Sequence, residues 1–252
     1  MTEMEGFEMI DCYIDMHCHL LPGIDDGAYD LEMSKRMLRQ AYEDGIREMI
    51  VTPHNKAHRH SAGKETIEFL TKELQAWLNQ EKISITLHTG NEILYRHEIG
   101  DLLEKQRICT LADSFYVLVE FNPSDTYAYI KNGIQEISLT GNTPILAHME
   151  RYEALAKDTD RIEELIEMGA LMQVNAGSIE GRNGFILKQK VLGWIKKGYI
   201  HFVSSDGHNL DTRPLSMQKA ARTVEKKFGQ EEAQKLFYDH ARMVIAGEYI
   251  RV

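Results

Sequence analysis

The sequence is poor in cysteine and proline, with three and five of them among 252 residues. The cysteines, Cys12, Cys18 and Cys109, are odd in number and show no Cys-x-x-Cys spacing. Neither a disulfide framework nor a thiolate zinc site is therefore indicated, and the cysteines are expected to be core residues. The few prolines are spread along a chain without repeats or low-complexity tracts. This favours one folded domain.

Long apolar runs and an excess of positive charge are also missing. No apolar stretch approaches the roughly 18 residues that a membrane-spanning helix needs. Residues 1–8 carry acids but no basic or apolar block, unlike a secretory signal. We therefore expect a cytoplasmic protein without an integral membrane segment. The 39 acidic and 29 basic side chains give a formal net charge of −10, which disfavours a nucleic-acid binder because such proteins need a basic surface.

The chain alternates short apolar or β-branched runs with segments of helical periodicity. Residues 1–9 are interpreted as an N-terminal extension and 10–252 as a single domain. Strands are predicted at 12–17, 48–52, 84–89, 115–121, 144–148, 170–175 and 200–205. Helices are predicted at 31–43, after Asp30 as N-cap, at 65–78, and as two or three closing helices within 214–229 and 230–247. This order predicts a parallel sheet with right-handed crossovers, either open or closed into a barrel.

Side chains that bind metals follow most of the predicted strands. In chain order they are His17, His19, His54, Glu92, Glu120, His148, Asp206 and His208. Because the loops at the carboxyl ends of parallel strands converge on one opening, these side chains are expected to meet there. His17 and His19 stand two residues apart on a strand and so share a face, whereas Cys18 between them points away.

Glu120 illustrates why a metal is expected. It ends the apolar run 116–119, and burying a carboxylate without a partner costs several kcal/mol. Imidazole and carboxylate donors without thiolate suit Mn²⁺, Fe²⁺, Zn²⁺ or Mg²⁺. About eight donors exceed what one ion takes, so two or three ions bridged by a carboxylate are predicted. The other histidines are assigned to the surface or to loops, namely His58, His60, His88, His97, His201 and His240.

Short motifs at the strand ends add more specific information. They are Asp15-Met16-His17-Cys18-His19, Pro22-Gly23-Ile24-Asp25-Asp26-Gly27, Thr52-Pro53-His54, Gly90-Asn91-Glu92, Glu120-Phe121, His148-Met149-Glu150-Arg151-Tyr152 and Ser205-Asp206-Gly207-His208-Asn209. With these motifs the chain, from about Ile10 to its C-terminus, resembles the polymerase and histidinol phosphatase (PHP) superfamily. It resembles more closely the bacterial manganese-dependent protein-tyrosine phosphatases of capsule and exopolysaccharide loci.

The resemblance implies a distorted seven-stranded β/α barrel, with a trinuclear metal site at the C-terminal ends of the strands and Mn²⁺ as the expected cofactor. By motif, the first ion would be held by His17, His19, Glu92 and Asp206, the second by Glu92, Glu120 and His148, and the third by Asp26, His54 and His208. Glu92 would thus bridge two ions. The metal role of Asp26 rests on the resemblance alone, because an Asp-Asp-Gly turn otherwise indicates an ordinary loop.

The same resemblance implies a metal-dependent phosphotyrosine-protein phosphatase, acting on a tyrosine kinase that controls capsular or exopolysaccharide synthesis. Arg151 and Arg213 match positions expected to grip the substrate phosphate. A hydroxide bridging two ions would attack phosphorus in line with the leaving oxygen. No cysteine is followed by arginine at the Cys-x5-Arg spacing, so the cysteine-nucleophile route is excluded. Two alternatives stay open: a small-molecule phosphatase of the histidinol-phosphate type, and a non-catalytic, metal-dependent binder of the phosphorylated kinase.

One motif departs from the family pattern. Members often carry a second histidine directly after the one at position 54, where this sequence has Asn55. Substrate contacts near that loop are therefore expected to differ. The following segment, 56–60, is unusually basic for an acidic chain. It is either part of a local positive field that attracts an anionic peptide or an ordinary solvated loop.

Overall fold

The computed structural model describes residues 12–56 and 61–251. Most of the basic segment, 57–60, and the whole predicted N-terminal extension lie outside the described residues. Within the described ranges the chain forms nine strands, and all of their pairings are parallel. The strands are β1 (Tyr13–Cys18), β2 (Ile46–Val51), β3 (His54–Asn55), β4 (Thr86–Thr89), β5 (Glu92–Leu94), β6 (Tyr116–Glu120), β7 (Thr143–Leu146), β8 (Leu171–Asn175) and β9 (Phe202–Ser204).

Helices fill the connections and close the chain. They are α1 (Leu31–Glu43), α2 (Lys64–Glu81), α3 (Ile99–Glu104), α4 (Tyr127–Leu139), α5 (Glu153–Ala156), α6 (Asp160–Glu167), α7 (Ala176–Glu180), α8 (Phe185–Lys196), α9 (Gln218–Phe228), α10 (Gln230–Gln234) and α11 (His240–Ala246). As predicted, Asp30 caps α1, and its side chain accepts the Met33 N–H at 2.8 Å. No helix in the described part of the chain is long and apolar enough to cross a membrane.

The strands form two sheets, in the orders β1-β2-β4 and β3-β5-β6-β7-β8-β9. Two residues separate β2 from β3, and two separate β4 from β5, so neighbours in the first sheet continue as neighbours in the second. At the other edge β1 approaches the loop after β9. There the His19 N–H donates to the Gly207 carbonyl and the Asp206 N–H donates to the His17 carbonyl, both at 2.9 Å. The parallel strands therefore curl into a half-barrel.

Each strand predicted from the sequence overlaps an observed strand, with ends that agree within two residues. β3 and β5 are additional, and they span only two and three residues. β3 follows Pro53, which has no N–H to donate to the ladder, and β5 follows Asn91, whose side chain bonds to two other segments. The Asn91 amide donates to the Pro53 carbonyl and accepts the Cys109 N–H, both at 2.9 Å.

Alternate strand residues enter two apolar clusters. In β6, Val117 packs in the larger cluster and Leu118 in the smaller one, which also contains residues of α11. Burial on both faces is typical of parallel strands covered by helices. Glu120 stands two residues beyond Leu118 and so continues the face of the smaller cluster. This face therefore passes from apolar side chains to a carboxylate at the end of the strand.

His201 lies in the loop that precedes β9, as one of the two assignments has it, but it is not at the surface, because only 4% of the residue is exposed. Its backbone N–H donates to the Met172 carbonyl at 2.9 Å, and its ring Nδ1 accepts the Met172 N–H at 3.0 Å. The ring of His240 hydrogen-bonds to the His201 carbonyl through Nδ1, at 2.9 Å. A histidine whose ring nitrogen meets a backbone N–H is tolerated in the interior.

Candidate active site

The end of β1 brings two imidazoles to the centre of the candidate site. His17 and His19 are both fully buried, and their Nε2 atoms lie 3.3 Å apart. His17 Nε2 lies 3.3 Å from Oε1 of Glu92, and His19 Nε2 lies 3.3 Å from Oε2 of the same carboxylate. One carboxylate thus faces two imidazoles, as the strand spacing of His17 and His19 predicts.

The loop after β1 folds back onto the strand. A Cβ added to Gly27 would lie 1.9 Å from the His19 carbonyl oxygen, so only glycine allows this approach. The loop carries Asp25, whose Oδ2 lies 2.8 Å from His19 Nδ1. The carboxylate accepts the Nδ1 proton and leaves Nε2 free to face Glu92. This role of Asp25 was missed, because an Asp-Asp pair in a turn does not show which carboxylate faces which group.

Asp26 lies at the open edge of the site and joins two further histidines. Its Oδ1 lies 3.2 Å from His54 Nε2 and 3.5 Å from His208 Nε2. His208 Nδ1 lies 2.9 Å from the carbonyl oxygen of Asp206. Since a carbonyl only accepts, the His208 proton is on Nδ1 and its Nε2 is available as a ligand atom. The structure therefore places together the three residues that the motifs assign to a third ion.

Glu92 is the central carboxylate of the site. Besides His17 and His19, it contacts His148 through Oε1 at 2.7 Å and His54 through Oε2 at 2.8 Å. Glu120 lies beside it, 3.1 Å from His54 Nδ1 and 3.8 Å from His148 Nε2. His54 is thus nearer to Glu120 than His148 is, although the motifs assign His148 and not His54 to that carboxylate.

Asp206 connects the imidazoles to two arginines. Its Oδ1 lies 3.5 Å from His17 Nε2, whereas its Oδ2 accepts from Arg151 at 2.6 Å and faces Arg213 at 2.8 Å. The arginine side chains are 38% and 37% exposed, so both can reach a molecule in solvent. Asp206 and His148 have φ angles of 51° and 33°, in the left-handed region that non-glycine residues rarely adopt. Such strain is concentrated at functional sites.

The residues fit a set of divalent cations. Ligand atoms within 4.8 Å of one another form three groups among the described residues: His17, His19 and Glu92; His54, Glu92 and Glu120; and His19, Asp26, His54 and His208. Several buried atoms of these side chains lie within ion-pair distance of an opposite group but make no hydrogen bond of good geometry, among them His54 Nδ1, Glu92 Oε2, Glu120 Oε1 and His208 Nε2. Buried polar atoms are rarely left unpaired, and imidazole and carboxylate are ligands for Mn²⁺, Fe²⁺ and Zn²⁺.

The electrostatics of the site point the same way. Burial opposes the charged form of Glu92, but His17, His148 and His19 outweigh it and hold the carboxyl pKa well below its usual range. Burial also opposes charge on His19 and His54. Carboxylates nevertheless raise the pKa of His19 to about 9 and that of His54 to about 12. The carboxylates therefore need positive charge around them, which protons on imidazole or bound cations can supply.

A half-barrel of parallel strands whose loops gather buried imidazoles and carboxylates defines the class of α/β proteins suited to binding several divalent cations. A family model described as capsular polysaccharide synthesis, CpsB/CapC, matches residues 13–246. The chain belongs to this family, and the family membership predicted from the motifs is confirmed.

Individual relatives agree with the family. The chain is 34% identical to the tyrosine-protein phosphatase CpsB of Streptococcus pneumoniae, covering 94% of this chain and 100% of the relative. It is 35% identical to the tyrosine-protein phosphatase YwqE of Bacillus subtilis, covering 86% of each. A solved structure from a study of YwqE and CpsB, described as metal-dependent tyrosine phosphatases, superposes with a TM-score of 0.89 at 33% identity, over 94% of this chain and 96% of that one. The chain is therefore a homologue of metal-dependent tyrosine-protein phosphatases.

Proposed function

We propose that this protein hydrolyses phosphotyrosine in a protein substrate with the help of bound divalent cations, and that the substrate is a tyrosine kinase of capsular or exopolysaccharide synthesis. The observation that carries the proposal is the pairing of buried ligand groups around Glu92 with two partly exposed arginines on Asp206. The names of the relatives support phosphotyrosine as the target. The family description supports the link to polysaccharide synthesis.

The topology supports a metal site at the carboxyl ends of the strands. If β2 and β3 are taken as one interrupted strand, and β4 and β5 as another, the strands number seven, and β1 meets the loop after β9. Each proposed ligand residue lies within the last three residues of such a strand or in the loop that follows it. Active sites of parallel β/α barrels lie at this end.

Three groups of residues would hold the cations. They are His17, His19, Glu92 and Asp206; Glu92, Glu120 and His148; and Asp26, His54 and His208. His54 is close enough to Glu120 to be shared between two groups. We propose Mn²⁺ as the cation, with Fe²⁺, Zn²⁺ and Mg²⁺ as the competing ions for the same donors. When bound, such ions supply Lewis acidity at the phosphate oxygens and lower the pKa of water.

The arginines give the site its preference for phosphate. Arg151 and Arg213 both direct a guanidinium nitrogen at Asp206 Oδ2. Each guanidinium has five N–H donors, so most of them remain for the equatorial oxygens of a phosphate monoester. Planar guanidinium groups bind such oxygens in pairs of hydrogen bonds. Since the arginines are reachable from solvent, the phosphate can arrive on a large substrate as well as on a small one.

The chemistry of the leaving group favours phosphotyrosine. Tyrosine leaves as a phenolate whose conjugate acid has a pKa of about 10, whereas serine leaves as a more basic alkoxide. For the better leaving group a general acid is helpful but not obligatory, so a site built from cation ligands and arginines is sufficient. The substrate preference is therefore expected to be phosphotyrosine over phosphoserine.

The proposal is tested on one preparation of purified protein. Metal per chain is measured by mass spectrometry, and phosphate release from a phosphotyrosine peptide is followed before and after treatment with a chelator and after addition of each of the four cations. We expect loss of hydrolysis on chelation and the largest recovery with Mn²⁺. Hydrolysis that survives complete metal removal would contradict the proposal.

Two further measurements separate the alternatives. Preferred hydrolysis of histidinol phosphate would indicate the small-molecule phosphatase. Binding of the phosphotyrosine peptide without turnover, in protein that contains its metals, would indicate the non-catalytic binder.

A further inference from the structure

β8 supplies no predicted metal ligand, yet two of its side chains face the candidate site. Gln173 and Asn175 continue the face of Leu171, which packs in the smaller apolar cluster. Gln173 is fully buried and Asn175 is 5% exposed. The inner face of β8 thus passes from an apolar residue to two amides, where the other strands end in imidazoles and carboxylates.

The orientation of the Gln173 amide is fixed by the backbone. Its Oε1 lies 2.7 Å from the backbone nitrogen of His148, which can only donate. Placing Nε2 there would bring two donors together. Its Nε2 lies 3.0 Å from Asn175 Oδ1, so the opposite end of the amide donates. Gln173 therefore has one possible assignment of oxygen and nitrogen.

This assignment determines the tautomer of His17. His17 Nδ1 lies 3.2 Å from the same Oε1 of Gln173, which is an acceptor. Nδ1 of His17 must therefore carry a proton, so in the neutral ring the lone pair is on Nε2, which faces Glu92 and Asp206. A metal-binding imidazole needs this arrangement, because its ligand nitrogen must be unprotonated.

Hydrogen bonds from Gln173 through Asn175 also reach a second proposed ligand, Asp206. Asn175 accepts from Gln173 through Oδ1, so its Nδ2 donates, and it does so to Asp206 Oδ2 at 2.7 Å. This bond leaves Asp206 Oδ1 facing the imidazoles of His17 and His19. One run of hydrogen bonds, starting at the His148 N–H, thus orients ligand atoms on β1 and after β9.

We propose that Gln173 is a positioning residue, which holds His17 in its Nδ1–H tautomer and, through Asn175, turns one oxygen of Asp206 toward the same point. The proposal rests on the metal-binding part of the proposed function. It does not require turnover, because Gln173 acts before any substrate binds. Partners of this kind typically contribute 10-fold to 100-fold to metal affinity.

The test compares Gln173→Met with a matched control, Gln75→Met. Gln75 also uses both ends of its amide, since it accepts the Leu87 N–H at 2.8 Å and donates to the Ile85 carbonyl at 3.0 Å, but it stands on α2 and its side chain faces β4. Both substitutions remove the same two bonding groups from a chain of similar shape. Affinity for Mn²⁺ is measured by titration of metal-depleted protein, and folding by circular dichroism. We expect Gln173→Met to bind Mn²⁺ about 10-fold to 100-fold more weakly than the wild type, and Gln75→Met to stay within about twofold.

The tautomer is measured without any variant of Gln173. Metal-depleted wild-type protein labelled with ¹⁵N-histidine is observed by NMR at a pH where the His17 ring is neutral, and the His17 signals are identified by their absence in His17→Gln. We expect the Nδ1–H form of His17. Equal Mn²⁺ affinity of Gln173→Met and Gln75→Met, or an Nε2–H form of His17 in the wild type, would overturn the proposal even if the protein is an active phosphatase.

Discussion

The molecule buries histidines at both ends of β9, and the two places differ in what the rings contact. Before β9, the His201 ring accepts a backbone N–H and has a histidine and the Lys235 ammonium for neighbours. Burial, assisted by the positive charge of His240 and Lys235, lowers its pKa to about 3. His201 is therefore neutral at any pH at which the protein is expected to work. Its ring accepts a hydrogen bond from the backbone of β8.

Beyond the other end of β9, the rings contact carboxylates. His19 and His54 are also buried or nearly so, but carboxylates raise their pKa values to about 9 and about 12. Their ring nitrogens meet Asp25, Asp26, Glu92 and Glu120. Burial alone therefore does not distinguish a structural histidine from a metal ligand. The groups that face the ring do, because carboxylates require positive charge and a backbone N–H does not.

The largest effect is expected when one carboxylate charge is removed from the cluster of carboxylates and imidazoles. Glu92→Gln keeps the shape of the side chain but removes the negative charge that faces four imidazoles. We expect loss of at least one metal ion per chain and a fall in phosphotyrosine hydrolysis of more than about 100-fold, beyond the effect of an outer partner. Both are measured on the same preparation.

Glu48→Gln is the matched control, since Glu48 also contacts a histidine, His88, at 3.2 Å, and pairs with Arg242 at 2.9 Å. It should keep metal and activity. Full metal content in Glu92→Gln, with only the rate reduced, would show that Glu92 is not a metal ligand.

The second prediction concerns the other end of β9. Because the folded pKa of His201 is about 3 and that of an unfolded histidine is about 6.5, the unfolded chain takes up the proton first as the pH falls. The stabilising contribution is therefore complete above pH 6.5 and declines as the pH falls toward 3. At about 1.4 kcal/mol per pH unit, the loss from pH 6.5 to 5 is about 2 kcal/mol.

His201→Asn isolates this contribution, because the asparagine Oδ1 can accept the Met172 N–H but does not titrate. The free energy of unfolding in urea is measured at pH 7 and pH 5 for both proteins. The wild type should lose about 2 kcal/mol more than His201→Asn over this interval. An equal loss of unfolding free energy in the two proteins would show that groups other than His201 cause the pH dependence.

Most of the proposed ligand residues could be located from the sequence because they follow an apolar run of strand length. Glu120 after 116–119 and the His17 and His19 pair are examples, and both lie where the strand period places them. The helix α1 was predicted with its bounds for a similar reason, since Asp30 and the apolar periodicity are local signals. The family motifs added Asp26, for which no local signal exists.

Other parts of the site depend on contacts between distant segments. Asp25 orients His19 only because the loop folds back at Gly27, and Gln173 matters only because β8 places it beside His17, 156 residues away. The same holds for His201, whose ring is satisfied by the backbone of the neighbouring strand. β3 and β5 were missed because strands of two or three residues have too few positions to show a period.

Arg151→Lys tests whether the groups that hold cations can be distinguished from the groups that contact the substrate. A lysine keeps the positive charge near Asp206 but lacks the planar fork that fits phosphate. We expect kcat/KM for a phosphotyrosine peptide to fall by about tenfold or more, roughly 1.4 kcal/mol, while metal content is unchanged. Arg242→Lys, which alters an arginine paired with Glu48 on the far side, is the control. Unaltered kcat/KM in Arg151→Lys would remove this arginine from the phosphate site.

The smallest effect is expected at Cys18, between the two histidines of β1. The residue is fully buried, its Sγ lies 3.5 Å from the Ile50 carbonyl, and burial raises the pKa of the thiol well above its usual range. A protonated thiol in the apolar cluster is neither a nucleophile nor a metal ligand. Cys18→Ala should therefore keep phosphotyrosine hydrolysis and metal content within about threefold of the wild type and lose about 1 kcal/mol of stability, because a small buried group is removed. Alkylation of the folded protein should likewise leave hydrolysis intact. Complete loss of hydrolysis in a folded, metal-loaded Cys18→Ala would mean that the thiol, and not the imidazoles beside it, carries the reaction.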